Sequence, residues 1–95
     1  MIYEIDFDDD ALKEWKKLPQ QIKEQLKKKL KERQINPKVP KDKLSGMKDV
    51  YKIKLRSAGY RLAYRVDDNR IIITVIVVGK REKDLVYKML HDRAK

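Results

Sequence analysis

Residues 50–66 read VYKIKLRSAGYRLAYRV, and residues 71–78 continue with the apolar run IIITVIVV. In the first stretch, apolar residues alternate with mostly basic ones on both sides of a turn at 57–59, the period of a β-hairpin with one buried face. The second stretch is interrupted only by Thr74, as expected for a central strand covered on both faces. Gly79 is expected to end that strand. These two stretches predict three consecutive strands of one sheet.

The segment before the hairpin predicts one strand and two helices. Residues 2–7 are rich in β-branched and aromatic side chains, which indicates a short first strand. Asp8 stands at an N-cap position, and apolar residues then recur at helical spacing up to Pro19, among them Trp15, which we expect in the core. A second helix is expected over residues 20–34. We interpret its basic face as solvated surface, because its apolar stripe is narrow: Ile22, Leu26 and Leu30.

The remaining segments complete the expected fold. Residues 35–49 contain two prolines and a glycine and form a long connector, and residues 82–92 predict a short C-terminal helix. The order is β-α-α-β-β-β-α, an α+β domain with a small, mostly antiparallel sheet and the two N-terminal helices packed on one face. A chain of 95 residues is too short for two cores. We therefore expect residues 1–95 to form a single domain.

The composition narrows the classes of function. With 25 Lys and Arg against 15 Asp and Glu, the formal net charge is +10, which suits a nucleic acid, an anionic membrane surface or an acidic protein as partner. The chain has no cysteine and one histidine, His91, so thiol chemistry, a cysteine-ligated zinc and a two-histidine acid–base pair are excluded. We expect no metal and no cofactor. Neither a membrane span nor a secretory signal is apparent, which favours a cytoplasmic protein.

The alternation in the hairpin gathers basic side chains on one face of the sheet. If the apolar alternates jointly line the core, the loop between the strands has an even number of residues, two or four. Arg61 then lies across from Lys54 or Arg56. The basic residues of this face are Lys52, Lys54, Arg56, Arg61 and Arg65.

A sheet face whose charged side chains are all cationic destabilises the fold unless an anionic ligand binds to it. Like charges opposite each other across strands destabilise a sheet by up to about 1 kcal/mol per pair, and no carboxylate occurs in residues 50–66. In the same registers, Lys52 lies across from Ala63 or Arg65. We interpret the face as the binding surface for a polyanion, such as RNA.

Three further residues are expected beside this surface. Lys80 and Arg81 directly follow the central strand. Tyr87 lies on the flank of the apolar stripe of the C-terminal helix, where its ring could stack on a base, worth about 1–3 kcal/mol.

Several motifs of the chain closely resemble the RelE family of toxin endoribonucleases from toxin–antitoxin pairs. The resemblance spans essentially the whole chain and weakens over residues 34–42 and after Met89. Its most specific part is the tyrosine–lysine–isoleucine–lysine run joined to glycine–tyrosine–arginine. The motifs are Phe7-Asp8 followed by residues 11–15, then residues 43–46 (KLSG), 51–64 (YKIKLRSAGYRLAY) and 78–82 (VGKRE) with Tyr87.

The resemblance implies a toxin that enters the A site of the 70S ribosome and cuts the messenger RNA there, after the second nucleotide of the codon and with stop codons such as UAG favoured. It also implies an antitoxin partner similar to RelB, with operator DNA contacted only through the toxin–antitoxin complex. No membrane partner is implied. One departure is Ser45, where related toxins carry an arginine that aids activity.

The resemblance also implies a role for each candidate catalytic residue. Lys52 and Lys54 match lysines that contact the scissile phosphate, and Lys54 matches the candidate base for the 2′-hydroxyl. Arg61 matches the group that stabilises the pentavalent phosphate, Arg81 the group near the leaving 5′-oxygen, and Tyr87 the aromatic ring that stacks on the message. We expect flanking RNA contacts from Arg56, Arg65, Lys80 and Lys43.

Elementary chemistry agrees with these roles. Cations around a lysine lower its pKa, which makes either Lys54 or Lys52 a candidate base near neutral pH. Arginine stays protonated above pH about 12, so we interpret Arg61 and Arg81 chiefly as electrostatic clamps. Two alternatives stay open: an inhibitor without enzymatic activity on the same scaffold, like the related ParE toxins that poison DNA gyrase, and a basic RNA-binding module without catalysis.

Overall fold

The computed structural model describes residues 2–80 of the chain. The α+β class and the order of the first six elements are confirmed. The C-terminal helix expected over residues 82–92 lies outside the described residues. The elements are β1 (Glu4–Phe7), α1 (Asp9–Lys16), α2 (Gln20–Ile35), β2 (Val50–Leu55), β3 (Tyr60–Asp67) and β4 (Ile72–Lys80), with a 3₁₀ turn at Pro40–Asp42.

The four strands form one sheet in the order β1-β4-β3-β2. β1 runs parallel to β4, and the other two pairings are antiparallel, so the sheet is mostly antiparallel as expected. β4, the apolar run, lies between β1 and β3, and its side chains are buried in hydrophobic clusters on both faces of the sheet, which explains why almost every residue in it is apolar. β2 is an edge strand of the described sheet, and its outer side faces the connector that follows α2.

Both helices pack on one face of the sheet. The apolar stripe of α2 (Ile22, Leu26 and Leu30) is buried against residues of β2, β3 and β4, as the sequence predicts. Trp15 is only half-buried: its ring packs against Phe7 with the centroids 5.3 Å apart, at the border of the core. Within residues 2–80, neither helix is long and apolar enough to cross a membrane.

A β-bulge in the β3–β4 pairing places two consecutive apolar side chains of the central strand on the same face. The register between β3 and β4 shifts between Ala63 and Tyr64, and Ile76 is left between the paired residues Val75 and Val77. Two neighbouring side chains, Ile76 and Val77, then enter one small cluster on the face opposite the helices, while Val75 joins the main core. The bulge therefore buries two consecutive residues on one face of the sheet, whereas a regular strand would place them on opposite faces.

The hairpin between β2 and β3 has a four-residue loop. Leu55 pairs with Tyr60, so the loop is residues 56–59, one of the two even lengths that the sequence allows. Gly59 has φ +70°, a left-handed conformation that glycine adopts without steric cost, and its N–H donates to the Leu55 carbonyl at 2.8 Å. Arg56 was expected within the strand but belongs to this loop.

Three strand boundaries differ from the sequence expectation. β4 passes through Gly79 and ends at Lys80, because β3 extends far enough to pair with both residues. β4 begins at Ile72 rather than Ile71, since Ile71 has φ +56° and completes the preceding turn. β1 begins at Glu4, where its pairing with β4 starts.

A polar contact ties the start of the chain to the turn between β3 and β4. The Tyr3 hydroxyl donates to Oδ1 of Asp68 at 2.8 Å, and the Lys38 ammonium donates to Oδ2 of the same carboxylate. These donors lower the pKa of Asp68 below its ordinary value of 3.8, and the carboxylate raises the pKa of Lys38. The contact joins three segments that are distant in sequence.

This contact predicts that part of the stability of the fold is lost at acid pH. A carboxyl group with a lowered folded pKa stabilises the fold above its unfolded pKa, and this contribution is lost as the pH falls through the folded value. We expect Asp68→Asn to reduce the loss of stability between pH 7 and pH 3, measured by urea unfolding at both pH values. Glu24→Gln, which alters an exposed carboxylate of α2, is the control. An unchanged loss in Asp68→Asn would contradict the prediction.

Candidate active site

The pairing of β2 with β3 brings three basic side chains together at the hairpin end of the sheet. Lys54 lies directly across from Arg61, and Lys52 lies across from Ala63. Residues opposite each other in an antiparallel pair point to the same face, with Cα atoms about 4.5–5.5 Å apart. The sequence allowed two registers, and the structure selects the one that places Lys54 beside Arg61.

Arg61 is the buried cation of this group. It is 7% exposed, and it lies on β3 between Lys54 of β2 and Gly79 of β4. The sequence placed Arg61 on the basic face but did not predict its burial. Arg61 is largely shielded from solvent before any substrate arrives, and a charge in such an environment stabilises a developing negative charge more strongly than one in water.

Lys54 has a lowered pKa, and its neighbours explain why. Lys52 is the largest cause, through charge repulsion and direct contact, followed by partial desolvation, Arg61 and Arg56. Each nearby positive charge disfavours a further proton on the Lys54 amine. The sequence left the choice of base open between two lysines, and this electrostatic environment favours Lys54.

The four expected flanking contacts do not form one continuous surface. Arg56, in the hairpin loop, is exposed and lines the same groove as Lys54. Arg65 shares the face but pairs with Val50 and Thr74, and the Val50–Arg65 pair lies four residue pairs along the ladder from the Lys54–Arg61 pair. It lines a different depression, together with Asp49, Asp67 and Asp68.

The other two flanking lysines lie at other places on the sheet. Lys80 pairs with Tyr60, the residue before Arg61, so its side chain lies on the opposite face of the sheet from Arg61. Its ammonium lies 6.0 Å from the centroid of the Tyr60 ring. Lys43 forms an isolated bridge to Tyr51 at the outer side of β2 and is exposed. Arg81 and Tyr87, the remaining candidate catalytic residues, lie outside the described residues.

Lys54 also borders a groove that the sequence does not reveal. The groove has a volume of about 690 Å³ and lies between α2, the 3₁₀ turn and the end of β2. Two of its lysines, Lys29 and Lys41, were not among the candidate site residues. Lys29 is four residues before Arg33 on the same helix face, but nothing in the sequence relates Lys41 to either. Within residues 2–80, no cluster of three or more acidic or histidine side chains is arranged to hold a metal ion.

Comparison with known proteins identifies the family. The model of a family described as the ParE toxin of the type II toxin–antitoxin system parDE matches residues 5–85. The chain therefore belongs to this family of small toxins from type II toxin–antitoxin systems.

Its relatives within the family are RelE proteins, which confirms the resemblance noted from the motifs. The mRNA interferase toxin RelE of Escherichia coli K12 is 56% identical over 87 residues, which are 92% of each chain. The mRNA interferase RelE of Shigella flexneri shows the same identity and coverage.

Solved structures of E. coli RelE are similar to the structure of this chain. A double mutant of E. coli RelE in the free state has a TM-score of 0.91 at 52% identity and covers 100% of both chains. A chain of the intact E. coli RelBE toxin–antitoxin complex has a TM-score of 0.82 at 56% identity and covers 85% of this chain and 99% of that one.

Proposed function

We propose that the protein is the toxin of a toxin–antitoxin pair and an endoribonuclease that cuts messenger RNA in the A site of the ribosome, inhibiting translation. The names of the E. coli and Shigella relatives, both mRNA interferases, support the mRNA-cleaving activity. The observation that carries the proposal for this chain is the Lys54–Arg61 pair, in which a lysine of lowered pKa lies directly across from a buried arginine.

The proposed reaction is an attack of the RNA on its own backbone. Lys54, as the neutral amine, takes the proton of the 2′-hydroxyl, and the 2′-oxygen forms a bond to the adjacent phosphorus. The bond from phosphorus to the 5′-oxygen breaks, and this oxygen takes up a proton from water, which leaves a 2′,3′-cyclic phosphate and a 5′-hydroxyl end. A pentavalent phosphate carries extra negative charge on the way, and Arg61 and Lys52 are placed to stabilise it.

Two residues of the proposed site lie beyond residue 80. We assign Arg81 to the leaving 5′-oxygen, chiefly as an electrostatic clamp, and Tyr87 to stacking on a base of the message. Arg56 is proposed as a flanking phosphate contact, because it lies beside Lys54. Lys43, Lys80 and Arg65 are proposed as peripheral RNA contacts, because they are basic but lie away from the Lys54–Arg61 pair.

The proposed dependence on the ribosome follows from the modest strength of such a site. Lysine and arginine supply charge and a base, but the RNA must be held with its 2′-oxygen in line with the breaking bond. Holding the RNA in this in-line geometry can contribute several kcal/mol to the reaction. A ribosome that fixes the message in the A site supplies this orientation, so we expect slow cleavage of free RNA.

The proposed partner is an antitoxin similar to RelB. The complex of RelB with E. coli RelE supports this, since its toxin chain superimposes on the present chain. A net charge of +10 favours an acidic or amphipathic partner chain. We further propose that operator DNA is contacted only through the toxin–antitoxin complex, and that the toxin acts in the cytoplasm, where ribosomes translate.

The proposal is tested by mapping the 5′ ends of cellular messages after expression of the protein with and without its antitoxin. We expect new ends in phase with codons, after the second nucleotide, in cells that express the toxin alone. Lys54→Ala should produce none. Equal patterns from the wild type and Lys54→Ala would contradict the proposal.

The two alternatives predict different outcomes in parallel assays. A gyrase poison, the activity of ParE toxins, would leave messages intact and trap cleaved DNA on gyrase. An RNA-binding module would bind ribosomes with a steep dependence on salt and create no new RNA ends. Gyrase poisoning is tested as an alternative because the family model that matches this chain is described as the ParE toxin. The identity to mRNA interferases favours RNA cleavage instead.

A further inference from the structure

The groove beside Lys54 carries an excess of positive charge. Five cationic residues line it, and the one acidic residue of the lining, Asp42, is already bound to Arg33 at 2.8 Å. Within the described residues, the other four cations form no salt bridge. They come from α2, the 3₁₀ turn, β2 and the hairpin loop, and are Lys29, Lys41, Lys54 and Arg56.

The wall of the groove is fixed by buried hydrogen bonds. Arg33 donates to Asp42 at 2.8 Å and to the Tyr64 hydroxyl at 2.9 Å, and this hydroxyl donates in turn to the Pro37 carbonyl at 2.7 Å. Tyr64 is completely buried and stacks on Tyr51 of β2, with the ring centroids 5.9 Å apart. This chain of contacts holds α2, the 3₁₀ turn and the edge of the sheet together.

Two exposed lysines are presented by that wall. Lys29 lies one helical turn before Arg33, so both residues are on the same face of α2. Lys41 is next to Asp42, the partner of Arg33. The Arg33–Asp42 pair therefore fixes the backbone positions from which both lysines reach into the groove.

We propose that this groove binds a backbone phosphate of the message next to the phosphate that is cleaved, with Lys29 and Lys41 as its contacts. The inference rests on the proposed function, because the strand in question is the message at the candidate active site. Lys54 belongs to both places: it is paired with Arg61 on the sheet and lines the groove. A strand whose scissile phosphate lies at Lys54 therefore reaches the groove with its neighbouring phosphate.

The test is a binding measurement that does not depend on cleavage. Ribosomes are programmed with a message that carries a 2′-deoxy nucleotide at the cleavage position, and the affinity of the free toxin is measured at several salt concentrations. We expect Lys29→Gln with Lys41→Gln to weaken binding about tenfold and to reduce the slope of log Kd against log salt by about 1. Lys17→Gln with Lys28→Gln removes the same charge from exposed positions outside the groove and should change Kd less than twofold.

A second arm identifies the source of the phosphate. On ribosomes whose message ends in the P site, we expect both double variants to bind equally, because the A-site strand is missing. Equal losses in both double variants on the full message would overturn the inference. A loss that persists in the groove variant without the A-site strand would also overturn it, since the phosphate would then belong to ribosomal RNA. Groove-dependent binding by a protein that leaves messages intact would support the inference and contradict the proposed function.

Discussion

Replacing Lys54 by alanine should lower the rate of message cleavage about 10²–10⁴-fold, the usual contribution of a general base. The lysine has a lowered pKa and lies across from Arg61, so its neutral amine is available close to the attacking oxygen. Single-turnover cleavage of a ribosome-bound message measures the effect. Lys28→Ala, which removes an exposed lysine of α2, is the matched control and should cleave at the rate of the wild type. A Lys54→Ala rate within tenfold of the control would contradict the assignment.

The pH dependence of the same reaction tests the cause of the lowered pKa. If Lys54 is the base, the cleavage rate rises with pH and levels off above its folded pKa, which lies below the ordinary 10.5. Lys52 is the largest cause of the lowering, so Lys52→Gln should raise the pKa of Lys54 and move the midpoint of the profile to higher pH. Lys28→Gln removes the same charge at a distance and should leave the midpoint in place. A midpoint unaffected by Lys52→Gln would mean that another group titrates.

The second large effect is expected at Arg61. Arg61→Gln should reduce the single-turnover rate about 10²–10³-fold, as removal of a positioned donor to a developing oxyanion does. The buried position makes the effect specific, because a solvated surface cation stabilises a developing charge less than a guanidinium shielded from water. Arg61→Lys should recover little activity, since a lysine lacks the planar arrangement of donors that matches a phosphate.

The control for Arg61 is Arg70→Gln, an exposed arginine in the turn between β3 and β4. Because Arg61 is buried, each variant also needs a thermal unfolding measurement, and the comparison is made well below the lowest Tm. Full activity in folded Arg61→Gln would show that the stabilising charge comes from elsewhere.

Local periodicity was sufficient to predict most of the hairpin. Alternation with period two defines which residues share a face, and a common core requires an even loop, so the two possible registers followed from the sequence. The structure has the four-residue loop, in which Gly59 takes the left-handed conformation. The same reasoning placed Lys52, Lys54 and Arg61 on one surface, which the strand pairing bears out.

Parity alone overestimated the extent of the basic surface. Arg65 has the same parity as Arg61 and shares its face, but it lies four residue pairs away along the ladder, beside acidic residues of the following turn. Lys80 was expected at the end of the sheet, beside the basic surface, because Gly79 was expected to end the strand. The strand continues through Gly79, and Lys80 therefore pairs with Tyr60. The positions of both residues relative to Arg61 depend on the strand pairing, because sequence distance along one strand does not define which residues of other strands are neighbours.

The amino-acid sequence by itself determined the α+β class, the order of the described elements, the parity of the basic strand residues and the family, since each depends on local periodicity or on contiguous motifs. The tertiary structure alone decided three other features: the burial of Arg61, the choice of Lys54 over Lys52 as the lysine with the lowered pKa, and the groove that joins Lys29 with Lys41. Each of these depends on distances between separate segments of the chain. Burial and electrostatic coupling follow from such distances in the folded molecule, and no local pattern of residues specifies them.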